Sequence, residues 1–432
     1  MSYDPAFAAV CQNVLEAELV PAMGCTEPIA IAYAGSLVHR SLGALPERMA
    51  LAVSSNIIKN AKSAVVPNTD GLKGLQAALA AGAVAGRAEA RLEVLSSIGE
   101  GEQAAIRQYL ADTPIAVKLA DSPFIFDIAI RAWAGEDSAL VRIVNYHTNI
   151  VRVERNGQAL KEVEAQAAAE EGLTDKSVLT VEGILEFARE AALADVEEAV
   201  GRQVRYNTAI AQEGLRGDYG ANIGKVLLAT YGDDVKIRAK AMAAAGSDAR
   251  MNGCGLPVVI VSGSGNQGLT ASLPVVEYAK ELGADWETTL RAVLVSDLIT
   301  IHLKAEIGRL SAYCGAVSAG CGSGAGIAWL YGREKDPASL LKDVSHTIVN
   351  ALAVDSGIVC DGAKASCAAK IASAVDAGLL GFYMYQNGQQ FRGGDGIISK
   401  GVEETIRNIG LLATQGMRET DREILDIMTT RC

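Results

Sequence analysis

Four of the chain's eight cysteines fall in two pairs with the same seven-residue spacing, Cys314 with Cys321 and Cys360 with Cys367. Each pair is set among glycines, in Tyr-Cys314-Gly-Ala-Val-Ser-Ala-Gly-Cys321-Gly and in Val-Cys360-Asp-Gly-Ala-Lys-Ala-Ser-Cys367. Thiols can ligate a metal ion or an iron–sulfur cluster, or act as nucleophile or base. Seven residues along a helix separate two side chains by about 10 Å, too far for a single ion. The spacing works if one thiol lies in a loop at a helix entrance and the pair grips a larger cluster. Gly357 and Gly362 bracket Cys360 and place such a loop there. Taken alone, the spacing favours a plainer reading, in which the cysteines are small fillers of an alanine-rich core.

Cys25 stands in Pro21-Ala-Met-Gly-Cys-Thr-Glu-Pro28, ahead of an apolar run. Pro28 suits a first helical turn and Thr26 or Glu27 can cap it, which sets Cys25 just before a helix N-terminus. Unpaired N–H groups and the helix dipole stabilise a thiolate there, so the position predicts a lowered thiol pKa. A second loop, Ser262-Gly-Ser264-Gly-Asn266-Gln-Gly268, follows an apolar run and precedes a helix. Its N–H groups can cradle a carboxylate or phosphate, or simply turn the chain. Residues 56–69 interleave polar donors, Lys59 and Asn60 among them, with apolar positions. Cys11 and Cys254 have no ligand-like neighbours and read as core. Cys432 ends the sequence, where a terminal thiol can reach sites that internal segments cannot. No Cys-x-x-Cys or His-x3-His spacing supports a structural zinc, and His302 and His346 fall in helical apolar context.

A mostly helical scaffold must position these residues. The chain has 432 residues, half of them apolar, enough for a large core; with only 5% aromatic residues that core is aliphatic. Residues 4–20, 71–88 and nearly everything from 207 onward carry helical apolar spacing, punctuated by glycine clusters. Between 91 and 158 the texture changes to a short strand (92–95), a helix (101–110) and alternating strands at 115–119, 124–133, 139–146 and 150–154. One more strand is expected at 49–54, and a charged, exposed helix over 161–203. The predicted fold class is α+β. Residues 1–90 plus 159–432 form a large Ala/Gly-rich helical domain carrying the site, and 91–158 a smaller inserted α+β module.

A net charge of −12 with no Lys/Arg-rich run argues against nucleic acid and against an anionic membrane surface. No apolar run predicts a bilayer span, and the first residues lack a secretion-signal pattern. A cytoplasmic setting is therefore expected, where disulfides are rare, with a small molecule as the partner. The small-residue helix faces also suit a homodimer.

Taken together, the segments PAMGCTEP, SSNIIKNAKSAVVPNT, VSGSGNQGLTASLPV, SAYCGAVSAGCGSGAG and GIVCDGAKASC span nearly the whole chain. In that order they resemble the L-cysteine desulfidase family, a relative of the oxygen-sensitive iron–sulfur L-serine dehydratases. The resemblance reverses the plainer reading of the cysteines. It implies a [4Fe–4S] cluster on Cys321, Cys360 and Cys367, one iron without a protein ligand, and Cys25 as the catalytic base. Cys314 is then a neighbour of the site, and Cys432 a resting-state ligand of the open iron. The implied reaction is β-elimination of L-cysteine to pyruvate, ammonia and hydrogen sulfide, with iron as Lewis acid. The loop around Ser264 and Asn266, with Lys59 and Asn60, is implied to hold the substrate.

Two other activities compete. An iron–sulfur L-serine dehydratase would use the same site, since iron can polarise a hydroxyl as well as a thiol; softness and the PAMGCTEP segment favour sulfur. A pyridoxal-phosphate β-eliminating lyase is suggested by Val-Lys236-Ile-Arg, which precedes Ser-Gly-Asn266-Gln-Gly as a Schiff-base lysine would precede its asparagine loop. Against it, the chain lacks the alternating strand–helix order of that fold. A cluster-bearing sensor, the non-enzymatic reading, would need a DNA- or partner-binding module, and no basic patch or helix-turn-helix is apparent.

Overall fold

The computed structural model describes residues 4–166 and 174–430. Helix α1 (Pro5–Glu18) starts on Asp4, whose side chain accepts from the Ala6 N–H at 2.9 Å. A three-residue strand, β1 (Pro21–Met23), leads into α2 (Thr26–Leu42). Then come β2 (Arg48–Val53), α3 (Ser55–Ala61), α4 (Gly74–Ala85) and α5 (Glu100–Asp112). Strands β3 (Ile115–Leu119), β4 (Asp127–Ala134), β5 (Asp137–Val144), β6 (Ile150–Arg155) and β7 (Gln158–Glu162) follow. They form one sheet in the order β3-β2-β4-β5-β6-β7, with β2 parallel to β3 and every other pair antiparallel. The period-2 pattern of β4 turns Ile128, Ile130 and Ala132 to the core, where α2 lies across β4 and β5.

The sheet reaches back beyond the 91–158 stretch picked out by texture, because β2 is its second strand. Alternation marks 48–53 as a strand but carries no record of its partners, which lie far along the chain. Residues 92–95 are not a strand. A 3-10 turn (Ala88–Glu93) ends there, with Arg91 at φ 48°, and Leu92, Val94 and Leu95 are buried by packing. The single exposed helix expected over 161–203 is divided into the end of β7, α6 (Val181–Glu190) and the start of α7 (Glu197–Arg216). Ile184, Leu185 and Phe187 of α6 are buried; residues 167–173 of that expectation lie outside the described residues.

The helical part continues with α8 (Ile223–Tyr231), α9 (Val235–Met251), strand β8 (Pro257–Val259), α10 (Gly265–Glu281) and α11 (Trp286–Ile307). It closes with α12 (Gly315–Gly332), α13 (Pro337–Val354), α14 (Cys367–Gln386), α15 (Val402–Leu411) and α16 (Arg418–Thr430). Helix α12 is central, packed on α10, α11, α13 and α14. A Cβ at Gly320 would come within 2.2 Å of Ala374 O, and one at Gly378 within 2.2 Å of Gly320 O. Helices α12 and α14 therefore touch backbone to backbone, which fixes the spacing of two helices that begin at cysteines. Unanticipated from sequence, α14 has the length and mean hydropathy (1.2) of a membrane span; 56% of that stretch is buried in the fold. The architecture is α+β with a large helical part.

One acid in this packing titrates far from its usual range. Asp297 on α11 is fully buried; Oδ1 accepts from Gln203 Nε2 at 2.9 Å and Oδ2 has no partner. Burial raises its pKa to about 8 against the opposing pull of the Gln203 bond. The group is protonated in the fold and ionised in the unfolded chain at neutral pH, so stability falls as pH rises from roughly 4 toward 8. Asp297→Asn removes that linkage. Its melting temperature is expected to vary less than that of the wild type over roughly pH 5–8, read by thermal denaturation at each pH.

Candidate active site

Two strand–turn–helix units meet back to back. Strands β1 and β8 pair antiparallel, Pro21 opposite Val259 and Met23 opposite Pro257. After β1 the chain turns through Gly24 (φ +49) and Cys25 becomes the N-cap of α2. After β8 it turns through Ser262 (φ +48) and Gly263 (φ +80), closed by reciprocal N–H···O bonds between Val261 and Ser264 at 3.1 and 3.0 Å. Two consecutive left-handed residues are what a type I′ turn requires, and Ser264 then caps α10. The Thr26 hydroxyl donates to Gly263 O at 2.9 Å and ties the two turns together.

A second pairing mirrors the first. The connection from α11 to α12 bonds to the connection from α13 to α14, Cys314 N–H to Ile358 O at 2.9 Å and Cys360 N–H to Ala312 O at 2.7 Å. Cys314 is the N-cap of α12 and Cys367 the first residue of α14. Four helix N-termini, those of α2, α10, α12 and α14, thus open on one cavity of about 110 Å³ lined by Cys25, Ser264, Cys314 and Cys367. Their partial positive charges favour anions and thiolates.

Cys25 is buried and its Sγ donates to Glu27 Oε2 at 3.1 Å. Glu27 Oε1 also accepts from Asn60 Nδ2 at 3.3 Å and lies 3.9 Å from His147 Nε2. Burial pushes the Glu27 carboxyl up, but His147 and Cys25 outweigh it and bring the pKa to about 2. The predicted low pKa of Cys25 is not what the fold produces. Burial first, and the Glu27 charge second, raise it well above the usual thiol value, with Arg250 opposing. A helix N-terminus contributes at most about 2 kcal/mol, which burial beside a carboxylate exceeds.

The Cys314 thiol lowers Cys360 despite its burial, with Lys59 adding to the effect. Cys360, and then burial, raise Cys314. Burial also raises Cys367, against Lys364. Lys304 lines the cavity with a pKa brought down to about 8 by burial, Cys360 and Cys314 pulling it back up.

Of the residues singled out from sequence, Cys25, Asn60, Ser264, Asn266, Cys360 and Cys367 line this cavity, and so does Cys314. Cys321 does not. It sits two turns into α12, 2% exposed and packed in the hydrophobic core. The Lys59 ammonium turns instead to Asp421 of α16, while its carbonyl packs on Gly362 (φ +90), where a Cβ would come within 2.2 Å. Cys432 lies outside the described residues. Lys236 is at the far end of α9, about 21 Å along the axis from Arg250, which lines the cavity. That distance separates the Schiff-base lysine of the pyridoxal reading from the loop it would serve.

Sequence reasoning missed Glu27, His147, Arg250, Gln267 and Lys304, all of which line the cavity. Glu27 read as a cap. Arg250 carried no usable signal: it shares the stretch Ala-Met-Ala-Ala-Ala-Gly-Ser-Asp-Ala-Arg250 with a second charged residue, Asp248.

All seven described cysteines are free thiols. Among the described residues no three His, Cys, Asp or Glu side chains close on a point fit for a single ion. Cys314, Cys360 and Cys367 instead border a shared space, beside Lys304 and Lys370. That donor set fits a polynuclear iron–sulfur group, whose ligands are thiolates and whose negative charge the lysines offset.

The sequence profile described as the serine dehydratase alpha chain matches residues 89–426. A UPF0597 protein of Desulfitobacterium hafniense is 59% identical over 97% of this chain and 96% of its own. Another, from Lachnoclostridium phytofermentans, is 50% identical over 96% and 98%, and one from Treponema denticola 43% identical over 99% of both.

Proposed function

Since the chain belongs to the serine dehydratase alpha-chain family and to the UPF0597 proteins, we propose that it is an iron–sulfur β-eliminating lyase acting on L-cysteine. The products are pyruvate, ammonia and hydrogen sulfide. The observation that carries this reading is one small cavity bordered by Cys25 together with Cys314, Cys360 and Cys367. Cys314, Cys360 and Cys367 would hold a [4Fe–4S] cluster; Cys314 takes the place of Cys321, which faces the core. When bound, the cluster supplies Lewis acidity that weakens the bond to the departing β-substituent.

The chain's own residues handle the proton. In the resting geometry Cys25 Sγ holds it, directed at Glu27 Oε2. Activation is loss of that proton to solvent as the substrate enters, since Glu27, with its pKa at about 2, stays a carboxylate; Arg250, the nearby cation, favours the thiolate that results. Cys25 Sγ then removes the Cα proton of the bound amino acid. The enclosed walls, with Phe126 and Leu310 among them, limit water until elimination is complete. Aminoacrylate leaves, tautomerises to the imine and hydrolyses without further help.

The family profile favours the serine dehydratase as second reading. Product analysis on anaerobically iron-loaded protein decides between them. Equal sulfide and pyruvate from L-cysteine, exceeding pyruvate from L-serine, is expected. Pyruvate from L-serine alone would make it a dehydratase, and an iron-free protein with a pyridoxal absorption band would sink both.

A further inference from the structure

We propose that Arg250, together with the first turn of α10, receives the α-carboxylate of the substrate, and that Gln267 Oε1 accepts from its α-ammonium. The inference rests on the amino-acid elimination proposed above and assigns the groups that recognise the amino acid.

Arg250 is 2% exposed, and no ion pair is formed by it among the described residues. Its Nη1 meets only the Met251 sulfur at 3.5 Å, a weak acceptor, and Nε has no partner. A buried guanidinium in this state is strongly unfavourable unless an anion joins it. Its fork of donors matches a planar carboxylate better than a single thiolate.

Position adds to chemistry. The guanidinium lies on Gly265, the first residue of α10, where a Cβ would come within 2.3 Å of Nε. It therefore shares its space with helix N–H groups that have no acceptor of their own. An anion placed there meets a fixed cation and a helix N-terminus at once. Gln267, 4% exposed, lies two residues further along α10, in the cavity wall, with Oε1 unpartnered. Its amide packs on Gly315 at the start of α12, where a Cβ would come within 2.7 Å of Cδ. Two glycines thus admit two unsatisfied polar groups, a donor set and an acceptor, into one cavity. A zwitterion needs both.

The test uses iron-loaded full-length protein and two probes. L-Alanine has the carboxylate and ammonium but no β-leaving group, and cysteamine is L-cysteine without its carboxylate. Dissociation constants come from equilibrium binding for L-alanine and from competitive inhibition for cysteamine. Arg250→Met, which keeps the stem volume, is expected to weaken L-alanine about 100-fold and cysteamine about 2-fold or less. Gln267→Leu is expected to weaken both by about tenfold, since both keep the ammonium. Should R250M not fold, R250K carries the test alone, with an intermediate loss for L-alanine only.

Parallel weakening of both probes by R250M would overturn the carboxylate assignment and leave Arg250 a partner of the Cys25 thiolate. Unchanged L-alanine binding, or none to the wild type, would also overturn it. A protein that binds L-alanine through Arg250 yet releases no sulfide from L-cysteine keeps the anchor and retires the elimination.

Discussion

Cys314→Ala is expected to leave the protein without iron, whereas Cys321→Ala should remain loaded. The two positions stand in the same glycine-rich motif and only one faces the site. Cys314 is the N-cap residue of α12, interacts with Cys360 and borders the cavity; Cys321 lies about 10 Å further along the helix, in the core. Removing a thiol from a three-ligand set leaves two, too few to retain a cluster through purification. Removing Cys321 costs packing alone, about 1 kcal/mol for a small side chain. Iron and acid-labile sulfide per chain, with the visible absorption band, measure the difference. A colourless C321A beside a loaded C314A would reinstate the ligand set implied by the family resemblance.

The second large effect concerns Cys25. Cys25→Ala should keep its iron and lose elimination by about 10² to 10⁴-fold, the range a positioned general base contributes. Iron content separates the two cysteine roles, because Cys25 is not among the proposed ligand thiols. The loss should fall on kcat, while L-alanine still binds through groups that C25A does not touch. Activity within about tenfold of the wild type would pass the base role to another cavity group. Lys304 is then the candidate, a buried amine whose pKa is brought down to about 8.

The site was legible in outline because its chemistry sits at helix starts, and helix starts have local signatures. Pro28 and the Thr26-Glu27 pair located the beginning of α2, and the serine–glycine run located α10. Protonation was not legible at Cys25. A dipole argument uses only the residue's own helix, whereas burial and Glu27 reset the thiol through tertiary structure. The ligand set was half legible. Equal spacing made the two cysteine pairs look alike, but α12 begins between Cys314 and Cys321, while the loop of the second pair lets both Cys360 and Cys367 reach the cavity. Arg250 and His147 were hidden for a simpler reason. Neither belongs to a motif, and what marks them is an unpaired atom in a buried place. The sheet shows the same divide. Alternation identified β2 without its partners, and an apolar triplet at 92–95 gave a strand where Arg91 imposes a turn.

The pairing of β1 with β8 has a bearing on how the enzyme comes into being. Cys25 is made early and Cys367 late, with more than 300 residues between them. At about 5–20 residues per second, synthesis of the intervening chain takes tens of seconds. Until Val259 and Gly263 are made β1 has no strand to pair with and Thr26 has no Gly263 to bond, and the other cavity thiols follow only with Cys314, Cys360 and Cys367. Closure of the pocket is therefore one of the last acts of folding. Iron delivery to the proposed ligand thiols must wait for Cys367, the last of the three to be made.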